Sequence, residues 1–213
     1  MTNRQPIVED GVIAGNFEDK HGTRNPVARW LVARFHAVVE ELTELTGARD
    51  VHEVGCGEGF LTARLARGGR RVRGSDFSRK VVDRAREDAA ALGAALDFRA
   101  CSVYDLDPAT DAAELVVCCE VLEHLEEPRR ALEVLSRLAR PHLLVSVPRE
   151  PLWRLMNLAR GRYVRDWGNT PGHLQHWSQR GFRRMLEDHV DVVELRAPIP
   201  WTVALCRARG AFA

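Results

Sequence analysis

The segment Glu53-Val54-Gly55-Cys56-Gly57-Glu58-Gly59 concentrates what chemistry at a backbone bend requires. Glycines at alternate positions tolerate the angles of a sharp turn and place no Cβ between the main chain and a ligand. Twenty-one residues after Gly55 stands Asp76, whose carboxylate can accept hydrogen bonds from both hydroxyls of a ribose. Glycines and acid together point to a nucleoside-bearing cofactor. The spacing is not the G-x-G-x-x-G of a pyrophosphate clamp, and Glu53 and Glu58 would repel phosphates. Carboxylates in those places suit a cofactor carrying an ammonium and a sulfonium cation, S-adenosylmethionine. A nicotinamide dehydrogenase is further disfavoured because neither Tyr104 nor Tyr163 is followed by a lysine four residues on.

A second constellation is Glu120-Val121-Leu122-Glu123-His124. An acceptor that takes a methyl group from such a cofactor must lose a proton. Histidine is the side chain whose ordinary pKa lies near neutrality, so His124, with Glu120, is the expected catalytic group. The same residues form a hard oxygen and nitrogen set. Glu120, Glu123 and His124, joined by His173 or His176, would hold a divalent cation such as Mg2+ that orients an acceptor hydroxyl and lowers its pKa. Further along, Trp153, Leu155, Met156 and Leu158 offer an apolar face, and Arg154, Arg160, Arg162 and Arg165 a basic one. Together they suit an apolar or anionic organic acceptor. These arginines are too few, and too mixed with Glu150 and Asp166, for an RNA track.

Elements that could position these groups follow from periodicity. Short apolar runs alternate with segments of helical period, the pattern of βαβ units around a parallel sheet, so the fold class is α/β. A helix begins at Asn25-Pro26, repeats Trp30, Val38, Leu42 and Leu45 at helical spacing and stops at Gly47. Strands are expected at 51–54, 71–75, 96–101, 114–119 and 143–147, and the run 114–119 is apolar enough to be covered on both faces. Intervening helices are expected from Glu58 to Ala66, along the face Val81, Val82, Ala85, Ala89 and Leu92, and from Pro128 to Leu138. Residues 149–177 are irregular and read as a lid. A helix then runs from Ser178 to Glu187, and segments 190–195 and 201–206 form a terminal hairpin. Both constellations fall at the carboxyl ends of strands, where open α/β sheets place their sites.

Composition bounds the rest. The chain has 213 residues, a net charge of +1 and a 45% hydrophobic content, which fit one domain, 1–213, that folds around its own core. Residues 1–24 are expected to cover the cofactor and substrate, with Arg29 a surface residue beyond them. No uncharged run is long enough to span a membrane, and Met1 to Gly15 has no apolar signal core, so a cytoplasmic location is expected. Five cysteines without a C-x-x-C pair argue against disulfides and a thiolate zinc site. The near balance of acids and bases predicts no nucleic-acid partner, and the oligomeric state is not legible.

From about Asn25 onward the chain resembles the class I S-adenosylmethionine-dependent methyltransferases. The likeness rests on Glu53 to Gly59, on Gly74-Ser75-Asp76-Phe77-Ser78, on Cys118 to Leu125 and on Ser146-Val147-Pro148. It implies a Rossmann-like, seven-stranded, mostly parallel sheet of order 3-2-1-4-5-7-6 with the last strand antiparallel. It also implies that Asp76 holds the ribose, that Phe77 packs on the adenine, and that Gly55, Cys56 and Gly57 line the methionine part beside Glu53 and Glu120. Ser102 stands where the family carries an acid for the adenine amino group, with Val103 next to it. Two groups in the family resemble the Glu-x-x-Glu-His pattern: the O-methyltransferases of ubiquinone biosynthesis, and metal-dependent 2′-O-methyltransferases of small-RNA 3′ ends. The leading expectation is O-methylation of a small organic acceptor. The RNA enzyme and a catalytically silent cofactor-binding regulatory module are the alternatives.

Overall fold

The computed structural model describes residues 7–9, 12–14, 25–91, 93 and 95–210. A short antiparallel pair, β1 (Ile7–Glu9) and β2 (Val12–Ala14), precedes the long helix α1 (Pro26–Thr46). Asn25 caps α1 by accepting from the N–H groups of Val27 (2.9 Å) and Ala28 (3.3 Å). Pro26 fills the first helical position, where a missing N–H costs nothing. Gly47 ends the helix in the left-handed region at φ 67°. Strands and helices then alternate: β3 (Asp50–Val54), α2 (Phe60–Leu65), β4 (Arg71–Asp76), α3 (Arg79–Ala91), β5 (Asp97–Ala100), α4 (Pro108–Asp111), β6 (Ala113–Cys119), α5 (Pro128–Leu138) and β7 (Ala139–Pro148). The chain finishes with α6 (Leu152–Ala159), α7 (Gln179–Glu187), β8 (Val190–Arg196) and β9 (Trp201–Ala208).

Seven strands form one sheet in the order β5-β4-β3-β6-β7-β9-β8. β3 pairs parallel with β4 and β6, β5 with β4 and β7 with β6, whereas β9 is antiparallel to both β7 and β8. Counted along the sheet strands, this is the expected order 3-2-1-4-5-7-6. One face buries Val116, Cys118, Leu143 and Val145 under Leu132, Leu135 and Leu138 of α5 and Phe182 of α7. The other buries Val51, Leu115, Val117 and Leu144 under Phe35, Val38, Val39 and Leu42 of α1. Both faces of β6 are therefore covered, which is why its sequence is a nearly unbroken apolar run. All five cysteines are free thiols. No helix of the described residues is long and apolar enough to cross a membrane.

Three local expectations need correction or a limit. Trp30 and Leu45 are 62% and 61% exposed, because the part of α1 that touches the core runs only from Leu31 to Leu42. The helix expected from Glu58 begins at Phe60. Gly57 (φ 52°) and Gly59 (φ 77°) hold the chain in left-handed geometry up to that point. Leu92 and most of the 1–24 segment lie outside the described residues. Leu144 is fully buried, and Leu144→Ala is expected to lower the unfolding free energy by ~2–5 kcal/mol in denaturant titration. Leu45→Ala changes it by no more than about 0.5 kcal/mol.

Candidate functional site

A cavity of about 1670 Å³ opens at the carboxyl edge of the sheet. It is larger than the roughly 300–1,000 Å³ of a site for one small ligand. Gly55, Asp76, Ser102 and Glu120, each just at or past the end of β3, β4, β5 or β6, line it.

The bend after β3 is fastened to β4. Gly55 and Cys56 donate their N–H groups to the Ser75 carbonyl (2.7 and 3.0 Å). Asp76 Oδ2 accepts from the Gly57 N–H (3.0 Å), and its Oδ1 accepts from the Ser78 N–H (3.0 Å) at the start of α3. Gly55 has φ 77°, and a Cβ there would stand 2.2 Å from Val121 Cγ2, so the bend both needs a left-handed residue and has no room for a side chain. Beneath it, His52 is buried. Its Nδ1 donates to the Asp111 carbonyl (2.9 Å), and Ser75 Oγ donates to its Nε2 (2.9 Å). Burial lowers the His52 pKa, keeping the ring neutral. Sequence reasoning read His52 only as a strand residue, since a histidine in an apolar strand carries no spacing signal.

Two carboxylates face this bend from the sheet. Glu53 is 4% exposed, its Oε2 accepts from Thr62 Oγ1, and burial pushes its pKa up to about 8. Burial also raises the Asp76 pKa, against the main-chain donors of Ser78, Gly57 and Phe77, which favour the charged form. Cys56 lines the cavity, but burial holds its thiol well above the ordinary pKa, so it contributes shape and not a thiolate. Phe77 is 44% exposed at the cavity wall and is not core. Ser102 Oγ caps the turn Val103–Asp105 by accepting from the Tyr104 N–H (3.3 Å), and Val103 is buried beside it; both line the cavity. Glu58 departs from expectation. It borders a smaller groove with Phe60 and Arg64 and does not line the main cavity, because left-handed Gly57 and Gly59 turn the chain between them. Arg29 also lies on that groove and is exposed.

The residues after β6 divide into two groups. Glu120, at φ 60°, turns its carboxylate across the sheet, where Ser146 Oγ donates to Oε1 (2.9 Å) and Trp201 Nε1 donates to Oε2 (2.7 Å). Glu123, His124 and His173 instead converge, with potential ligand atoms all within 4.8 Å of one another. Neither Glu120 nor His176 belongs to this group; His176 Nε2 engages Asn169 Oδ1 at 2.7 Å. His124 Nδ1 donates to the Gly172 carbonyl (2.9 Å), which assigns the proton to Nδ1 and leaves Nε2 as the basic nitrogen, 3.9 Å from Glu123 Oε1.

Loop 169–177 is fastened to the same turn. Leu174 and Gln175 donate main-chain N–H groups to the Glu123 carbonyl (2.8 and 3.0 Å), and Gln175 Nε2 donates to the Leu125 carbonyl (3.1 Å). A row of rings borders this side of the cavity: Phe35 and Trp201 (centroids 4.9 Å apart), Trp201 and Trp153 (5.8 Å), Trp153 and His173 (5.9 Å), His173 and His124 (4.9 Å). Trp201 and Phe35 escaped the sequence reading because their roles arise from strand order, which brings chain positions 35 and 201 together. Of the lid residues singled out, Trp153, Met156, Arg160 and Arg162 line the cavity, whereas Leu155 is 57% exposed and Arg154 pairs with Glu150 (3.7 Å). Leu158 and Arg165 do not line it. Gly55→Ala is expected to lower stability by ~2–4 kcal/mol, combining left-handed strain with overpacking. Adding Val121→Ala should recover only the overpacking part, which a double-mutant cycle in denaturant measures.

Comparison with known proteins agrees with this geometry. Residues 52–145 match the family described as "Methyltransferase domain". A protein named ubiquinone biosynthesis O-methyltransferase from Alkalilimnicola ehrlichii is 30% identical over 183 residues, covering 78% of this chain and 72% of the relative. One of the same name from Xanthomonas euvesicatoria is 33% identical over 130 residues, 61% of this chain and 54% of the relative. Among solved structures, magnesium protoporphyrin IX methyltransferase from Synechocystis with bound S-adenosylhomocysteine superposes with a TM-score of 0.66 at 23% identity, over 87% of this chain and 89% of that one. An N-methyltransferase from Bradyrhizobium japonicum gives 0.62 at 20% identity, over 84% and 96%. Fold, sheet order and the alignment across both constellations agree: the chain belongs to the class I S-adenosylmethionine-dependent methyltransferases.

Proposed function

We propose that this methyltransferase acts on a hydroxyl oxygen of a small organic acceptor, with His124 as the general base. The observation that carries the reading is the His124 tautomer: a carbonyl holds Nδ1–H, leaving Nε2 at the cavity with the buried Glu123 carboxylate beside it. The names of the similar O-methyltransferases support transfer to oxygen.

The residues present fit the cofactor. Gly55 and Gly57 bring bare backbone to the cavity, Glu120 and, once ionised, Glu53 place negative charge suited to a cation beside it, and Asp76 offers carboxylate oxygens to a diol. Phe77 is placed to cover the base, with Ser102 and Val103 at its edge. When bound, S-adenosylmethionine supplies the methyl group as an electrophilic carbon on a sulfonium sulfur. This chain's own part is to hold the acceptor oxygen in line and to remove its proton. His124 Nε2 takes that proton, and the Glu123 carboxylate stabilises the resulting imidazolium. Residues 149–177 act as a lid: loop 169–177 is bonded to the Glu123–Leu125 turn and Trp153 stacks on His173 of that loop, keeping water from the reacting atoms.

The convergence of Glu123, His124 and His173 favours a second reading, in which a divalent cation on these three residues orients the acceptor hydroxyl. One experiment separates the two. His124→Gln is expected to lower kcat by roughly 10²–10⁴-fold while leaving S-adenosylhomocysteine affinity unchanged, and excess chelator should leave the wild-type rate intact. A rate abolished by chelator and restored by Mg2+ selects the cation, and an unimpaired His124→Gln enzyme rejects the base. Glu53 gives a further expectation, because a carboxyl with a pKa of about 8 must ionise before it attracts a cation. Cofactor affinity measured by calorimetry should therefore rise with pH, by up to about tenfold per unit below 8, and level off above it. In Glu53→Gln that dependence should vanish.

A further inference from the structure

The main cavity is polarised along its length. At the sheet edge the carboxylates Glu53, Asp76, Glu120 and Glu123 outnumber one cation, Arg79 at the start of α3, whereas the charged side chains from α6 and the turn after it are Arg160 and Arg162 alone. Cofactor charge accounts for the acidic end and leaves the basic end unexplained. We infer that Arg160 and Arg162 form a subsite for an oxyanion, a carboxylate in the first instance, carried by the acceptor at the end remote from the hydroxyl that is methylated. This inference rests on the methyl-transfer reading above.

Arg160 is held in place from beneath. Asn157 is 1% exposed, and its Nδ2 donates to the Gly168 carbonyl (2.9 Å) and to Thr170 Oγ1 (3.2 Å). Its Oδ1 thus points at the rim, where it accepts from Arg160 Nη2 (2.5 Å), while Arg160 Nε donates to the Met156 carbonyl (3.3 Å). Both of these partners are neutral, so they orient the guanidinium without neutralising it. Arg154, six residues earlier, is by contrast matched to Glu150 and does not line the cavity. A guanidinium has five donors in a planar fork, and these two bonds leave donors for a bidentate carboxylate. Burying an amide such as Asn157 is costly unless its bonds are made, and here those bonds serve the lid and Arg160.

Contacts connect this subsite to the base. His124 meets His173, His173 stacks on Trp153, Trp153 Nε1 donates to Thr170 Oγ1 (2.9 Å), and Thr170 meets Asn157. Trp153 and Met156 supply the apolar wall between the two polar ends. An acceptor with a hydroxyl at one end, a flat or aliphatic middle and an oxyanion at the other would satisfy all three zones.

The test uses the full chain saturated with S-adenosylhomocysteine and two probes differing only in charge, 3,4-dihydroxycinnamate and its amide, titrated by calorimetry. The carboxylate is expected to bind about tenfold or more tightly than the amide. In Arg160→Gln/Arg162→Gln this advantage should fall to about threefold or less, with S-adenosylhomocysteine affinity held within about twofold. Arg160→Lys/Arg162→Lys, which keeps the charge but not the fork, should retain part of the preference. Equal binding of the two probes by the wild type, no binding of the carboxylate, or a preference undiminished in the double glutamine variant would overturn the proposal. Failure of the wild type to bind S-adenosylhomocysteine at all would instead bring down the cofactor reading, and this inference with it.

Discussion

The cofactor end of the structure depends on one buried carboxylate. Asp76 closes β4, and its two oxygens receive the N–H of Gly57 from the bend after β3 and the N–H of Ser78 from the start of α3. Three separate segments thus share one anion. The carbonyl immediately before it, that of Ser75, takes the N–H groups of Gly55 and Cys56, so the bend cannot shift without breaking its link to β4. Ser75 is in turn held through its hydroxyl by neutral His52, which anchors to the chain before β6. Charge-assisted bonds in a dry setting are strong when complete and expensive when broken. The arrangement therefore leaves the bend in one geometry, with a carboxylate at its edge and bare backbone over the cavity.

The acceptor side is built on a different principle. There the chain joins parts distant in sequence by stacking and main-chain bonds. Trp201 of β9 donates to Glu120 after β6 and touches Phe35 of α1 and Trp153 of α6. Loop 169–177 hydrogen-bonds along the Glu123–Leu125 turn, and the Gly172 carbonyl selects the tautomer of His124. Loop 169–177 and the His124 imidazole, the base proposed above, are consequently one unit. Any movement of the loop alters both the wall of the acceptor space and the orientation of the imidazole.

Much of this was legible in the sequence, for identifiable reasons. The parallel strands were readable because burial on both faces writes itself as unbroken apolar runs, as in Glu114 to Cys119, and the ends of α1 because Asn25, Pro26 and Gly47 act locally. The glycine bend and Asp76 were readable because a fixed backbone geometry imposes a fixed spacing. Glu58 was misplaced because its direction depends on left-handed Gly57 and Gly59, which composition shows only as freedom. Glu120 looked equivalent to Glu123 in the run Glu-x-x-Glu-His, yet its φ of 60° and its donors from β7 and β9 send it elsewhere. Trp30 and Leu45 fitted a helical period that continues past the surface it packs on. In each case the deciding partner lies far away in the chain or in a backbone angle, beyond the reach of spacing alone.

The central claim is that the carboxylate ending β4 holds the ribose of the cofactor while bracing the bend. It is tested most directly by calorimetric titration of S-adenosylhomocysteine and its 2′-deoxy analogue into the wild type and Asp76→Ala, with folding of both verified by denaturant titration. The account predicts that the wild type prefers the intact ribose by about tenfold or more, as expected for loss of a charged hydrogen bond. It further predicts that Asp76→Ala binds both compounds weakly and without preference. Equal affinity of the wild type for the two compounds, or an undiminished affinity in Asp76→Ala, would contradict it.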